Sequence, residues 1–106
     1  TNLTPYLSFA KAKTLGRQVQ VMGKLNKSEQ PTHEGGFLHF TLIEEGTNET
    51  MAVRFKGAKP QAFDQAISIT ATGEYKNGEF TADRLLVKCP SKYQGEKVEE
   101  KDYSAQ

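Results

Sequence analysis

Ile67-Ser68-Ile69-Thr70-Ala71-Thr72-Gly73-Glu74-Tyr75-Lys76-Asn77-Gly78-Glu79-Phe80-Thr81-Ala82-Asp83-Arg84-Leu85-Leu86-Val87-Lys88-Cys89-Pro90 is the stretch whose reading decides the fold. Its first part alternates through Ile67, Ile69 and Ala71, which predicts a strand over Ala66 to Glu74. Asn77-Gly78 supplies the two positive-φ residues that a type I′ hairpin turn requires. A return strand follows from Glu79 to Cys89. Its apolar parity changes from Phe80 and Ala82 to Leu85 and Val87, so a bulge or bend is expected near Asp83-Arg84. Pro90 has no amide hydrogen and holds the preceding residue extended, which makes Cys89 the expected last residue of that strand.

Upstream, Tyr6 to Gly16 reads as a short helix with Ser8 as N-cap and Gly16 as its stop. Arg17 to Leu25 alternates around Val19, Val21 and Gly23, with Gly23 a bulge or close-approach point. Asn26 to Gly36 reads as a polar loop. Phe37 to Glu44 is rich in β-formers, with Leu38, Phe40 and Leu42 on one face. Met51, Val53 and Phe55 alternate with Ala52, Arg54 and Lys56, giving a third strand hairpinned to the second. Pro60 to Asp64 fits one helical turn plugging an end of the sheet, because Pro suits a first helical position. From Gln94 onward the chain is polar and charged and is expected to be disordered. The fold class is therefore all-β: a five-stranded OB-fold Greek-key barrel with short helical segments and a disordered C-terminal tail. The expected organisation is an N-terminal segment over 1–16, the barrel over 17–93 and a flexible tail over 94–106.

Composition restricts what such a barrel does. With 106 residues, one core and one domain are expected, since chains divide only beyond roughly 250 residues. Fourteen Lys and Arg against 13 Asp and Glu leave a net charge of +1, which lacks the basic footprint of a nucleic-acid binder. No run of roughly 18 apolar residues is present to span a bilayer. His33 and His39 are the two imidazoles and Cys89 the one thiol, a set without zinc-finger spacing or a Cys-x-x-Cys-His haem-attachment site. His33 and His39 read as surface residues, and Glu44-Glu45 and Glu99-Glu100 as solvated charge. Neither a phosphate-binding Gly-rich loop nor a Gly-x-Ser-x-Gly elbow occurs, and an enzyme is not expected.

Two functional readings remain at this level. Phe37, Phe55 and Tyr75, with Arg54, Lys56 and Lys76, could stack and neutralise single-stranded nucleic acid, although core packing explains them equally well; a partner protein is the other ligand of such a module. Alternatively, Cys89 and Tyr93 place a thiol and a phenol four residues apart at a strand mouth, both competent ligands for a soft or borderline metal. Inward parity with Leu85 and Val87 favours a buried Cys89 acting as a small hydrophobe; Pro90 and the polar tail favour exposure.

Val21-Met22-Gly23-Lys24-Leu25, Phe40-Thr41-Leu42, Val53-Arg54-Phe55-Lys56-Gly57-Ala58-Lys59-Pro60, Ala71-Thr72-Gly73-Glu74-Tyr75 and Phe80 through Lys88 together resemble the periplasmic domain of the cytochrome c maturation protein E family of haem chaperones. The likeness runs from about Arg17 to Tyr93. It implies an OB-fold domain on the periplasmic side of the bacterial inner membrane, with an N-terminal membrane anchor expected upstream of Thr1. It implies haem (heme b) as cargo, carried from the haem export and delivery machinery to the haem lyase that loads apocytochrome c, with no nucleic acid involved. In most of that family a histidine stands at the position of Cys89 and bonds covalently to a haem vinyl group, while the tyrosine four residues on ligates the iron. Cys89-Pro90-Ser91-Lys92-Tyr93 resembles the Cys-x-x-x-Tyr variant. The resemblance thus implies Cys89 in contact with haem, covalently or as an axial thiolate, Tyr93 as iron ligand, and Lys88 and Lys92 beside the propionates.

Overall fold

The computed structural model describes residues 3–91 and 98–106. Helix α1 (Phe9–Ala12) precedes strands β1 (Val19–Leu25), β2 (Thr32–Glu34), β3 (Phe37–Ile43) and β4 (Thr50–Lys56). A 3-10 turn (Phe63–Gln65) then leads into β5 (Ser68–Lys76), β6 (Glu79–Pro90) and β7 (Val98–Ser104). The hydrogen-bonded order β1-β5-β6-β4-β3 closes through β3 onto β1. Strands β4 and β6 run parallel, and the other strand pairings are antiparallel. That closure is the five-stranded Greek-key arrangement of an OB-like barrel, which leaves no edge among its five members.

The long hairpin folds as its sequence dictates. Asn77 and Gly78 turn it with φ of 53° and 84°. Across the hairpin Thr72 pairs with Arg84 but Gly73 pairs with Ala82, so Asp83 is the extra residue of a bulge. This one insertion lets Phe80 and Ala82 point inward before it and Leu85 and Val87 point inward after it. Gly73 is required there, because a Cβ would strike the Thr81 carbonyl oxygen and lie 2.8 Å from Ala82 Cα. Gly23 has a similar duty: a Cβ would meet the Ile43 carbonyl oxygen at 2.7 Å and the Phe9 ring at 2.9 Å.

The inward faces of β3 (Leu38, Phe40, Leu42) and β4 (Met51, Val53, Phe55) meet those of β1, β5 and β6 in one core. Phe63 fills the end of the barrel, 1% exposed, its ring edge-on to Phe40 with centroids 5.0 Å apart. Burying a side chain of that size contributes about 1.5–3 kcal/mol.

Several local expectations are corrected. The helix ends at Ala12 rather than reaching Gly16, because Thr14 and Leu15 amides donate to Lys11 and Ala12 carbonyls in tighter i to i−3 turns. Pro60 does not open the barrel-end turn; Ala62, left-handed at φ 59°, swings the chain so that Phe63 starts it pointing inward. Within the polar loop, Thr32–Glu34 pairs with β3 across Gly35-Gly36, whose φ values of 61° and 84° make a tight reversal. Glu44 is not free solvated charge, since it accepts hydrogen bonds from the Phe9 amide at 3.0 Å and the Thr47 hydroxyl at 2.7 Å. Finally, the expected disordered tail is strand from Val98 to Ser104, paired with Arg84–Pro90 of β6; residues 94–97 lie outside the described residues.

Candidate functional site

The last residues of β6 extend past the end of β4, so their free side is available to β7. Cys89 stands there on the inward parity with Leu85 and Val87. It is half-buried against the core, and its thiol donates to the Ala62 carbonyl oxygen at 3.5 Å. Both readings of this cysteine were thus partly right: it caps the core with one side and faces open space with the other. The strand continues one residue further than expected, because the Pro90 position remains in register with Val98.

The open space is a groove of about 430 Å³. Gln61 and Ala62 of the barrel-end loop form one wall, Val87 and Cys89 the floor, and Glu99, Lys101 and Tyr103 of β7 the opposite wall. Its volume falls within the roughly 300–1,000 Å³ of small-molecule sites. A soft sulfur donor, apolar floor and polar rim suit a ligand that is largely apolar with polar ends. Ala62 holds a left-handed backbone that costs a non-glycine residue about 1–2 kcal/mol, and its carbonyl is the group that faces the thiol. Phe63, the next residue, is buried in the core.

The sequence-predicted residues are only partly brought together. Lys88 lies on the opposite face of β6 from Cys89, its ammonium 3.4 Å from Glu100 of β7. Tyr93 and Lys92 lie outside the described residues. His39 is 3.8 Å from Glu79 on the outer surface, and His33 Nε2 donates to the Gly57 carbonyl at 2.8 Å. The supposed aromatic platform does not assemble, since Phe55 is buried in the core and Phe37 is covered by the Arg54 guanidinium at 3.7 Å. Ala62, Glu99, Lys101 and Tyr103 were not read from the sequence as site residues. The available signal was cross-strand charge: Arg84 and Lys88 on β6 face Asp102 and Glu100 on β7 at 2.9 Å and 3.4 Å.

Fold and groove define a small all-β barrel with a ligand-sized cleft at one end, floored by a thiol. In solved structures the same fold is found in apo TiaS, a tRNAIle2 agmatidine synthetase, which superposes with a TM-score of 0.51 over 95% of this chain and 32% of that one at 9% identity. The chain belongs to the CcmE domain family, which matches residues 2–96. It is 36% identical over 81 residues to the cytochrome c-type biogenesis protein CcmE of Hyphomonas neptunium (strain ATCC 15444). That alignment takes in 74% of this chain and 57% of the relative, so the chain corresponds to little more than half of that protein. Among the described residues, no helix is long and apolar enough to cross a membrane.

Proposed function

We propose that this domain acts in cytochrome c biogenesis as a periplasmic haem chaperone, holding haem transiently at the Cys89 end of the barrel and passing it to the lyase that loads apocytochrome c. The observation that carries the reading is the position of Cys89: a half-buried thiol on the floor of a groove of about 430 Å³, in a CcmE domain. Membership of the family supports the pathway, and the relative's name points to the same one. In this reading Cys89 contacts haem and Tyr93, four residues on, ligates the iron.

The thiol has two ways to serve. As a thiolate it coordinates iron directly. By addition to a vinyl group it forms a carbon–sulfur bond while its proton goes to the neighbouring carbon, with no net oxidation or reduction. Titration with haem, followed by intact mass after acid treatment, separates the two: haem retained means a covalent bond, haem lost means coordination. If Cys89→Ala and Tyr93→Phe both leave haem affinity and the Soret spectrum unchanged, the site assignment is refuted.

A further inference from the structure

β7 carries its charges on two faces with different employment. In its antiparallel register with β6, Glu99 lies opposite Cys89, Lys101 opposite Val87 and Tyr103 opposite Leu85, and opposed residues share a face of the sheet. Glu100 and Asp102 point the other way and pair with Lys88 and Arg84. The acids of the outer face therefore hold the strand on, together with Tyr103, which packs against the core, and the Ala105 amide, which donates to the Asp83 carbonyl at 2.8 Å. Lys101 has no such employment: it lines the groove and has no ion-pair partner among the described residues. It is also the groove's one cation among those residues, faced on its own strand by Glu99 about 7 Å away along the backbone.

We infer that β7 is the second wall of the cargo site and that Lys101 pairs there with a carboxylate of the cargo, while Glu99 opposes it. The cargo class this selects is a flat, mainly apolar molecule bearing carboxylates at one edge. The inference rests on the haem reading above and assigns the carboxylate contact to β7, because Lys88 is committed to Glu100 on the far face.

The test is a titration of the full chain with haem and with haem dimethyl ester, in which both carboxylates are capped. Lys101→Met is expected to weaken haem about fivefold, the upper end for an exposed ion pair, and to leave the ester unchanged. Glu99→Gln is expected to tighten haem about twofold without affecting the ester. Equal losses for both ligands in Lys101→Met, or no loss for either, overturn the inference. So does an ester-dependent loss in Lys88→Met with Lys101→Met silent. If instead the unaltered chain binds neither ligand, the haem reading itself falls, and if Cys89→Ala and Tyr93→Phe both leave the Soret band and the affinity unchanged, the site assignment falls; a Soret shift in Cys89→Ala with a silent Lys101→Met removes the Lys101 assignment alone.

Discussion

Replacing Phe63 by Ala tests whether the barrel's plug also builds the groove. The side chain is 1% exposed and edge-on to Phe40, so truncation leaves a large cavity and is expected to cost about 3–5 kcal/mol. That is a large part of the roughly 5–15 kcal/mol that stabilises a domain. Phe63→Leu keeps most of the volume and is expected to cost less than about 1.5 kcal/mol. Urea unfolding gives both values. The link to the site is the backbone: Phe63 anchors the turn whose preceding residue, Ala62, presents its carbonyl to the Cys89 thiol. Loss of the anchor should release that wall, and Cys89 should react faster with a disulfide reagent under native conditions. Global unfolding also exposes the thiol, so the comparison is with Leu42→Ala, a fully buried position in β3 that does not line the groove and whose truncation costs about 2–5 kcal/mol. After correction for stability, Phe63→Ala should still react faster. If the two variants react alike, the plug does not hold the groove wall and the reasoning fails.

Gly73→Ala should cost about 2–3 kcal/mol, lowering Tm by roughly 10–20 °C, because the new Cβ meets backbone that cannot move aside; Gly16→Ala, with nothing within 4 Å of the added carbon, should be nearly neutral in the same thermal melts. Glu44→Ala should cost about 1–2 kcal/mol in urea unfolding by removing the acceptor of the Phe9 amide, and a loss within error would show that water replaces it. A double-mutant cycle of Arg84→Met and Asp102→Asn should give a coupling of about 0.3–1 kcal/mol that fades as salt is raised, read from amide exchange in β7; a coupling unaffected by salt would refute an electrostatic attachment.

The barrel was legible because its signals are local and repeated. Asn77-Gly78 specifies a turn by backbone chemistry alone, and the parity change between Ala82 and Leu85 locates the bulge without any partner strand. The alternation of Leu38, Phe40 and Leu42 against Met51, Val53 and Phe55 likewise sets both strands and their pairing. β7 was not legible, since Val98-Glu99-Glu100-Lys101-Asp102-Tyr103-Ser104 has almost nothing to bury and reads as solvated chain. It is a strand because β6 outruns β4 and leaves backbone groups to be satisfied, a consequence of topology and not of its own composition. The same cause hid half of the groove: Cys89 was visible as a thiol at a strand end, but its surroundings come from two segments distant in sequence.

That division of labour bears on how a thiol site holds and releases a ligand. The floor of the groove belongs to β6, whose inward residues are locked in the core. Both walls hang on weaker side-chain attachments: a short turn carrying a left-handed alanine on one side, and on the other a strand whose side-chain links to β6, among the described residues, are two exposed ion pairs and one half-buried tyrosine. Each exposed pair contributes no more than about 1 kcal/mol, far less than the packing that fixes the floor. Beyond its backbone ladder with β6 over Arg84–Pro90, β7 has few buried apolar contacts, and elements of that kind open at lower free energy than the core. In the proposed chaperone, a coordinated cargo would leave by displacement of β7 while the barrel and the thiol stay in place. A thioether to Cys89 would not be broken by that motion, so release without chemistry requires coordination at this cysteine.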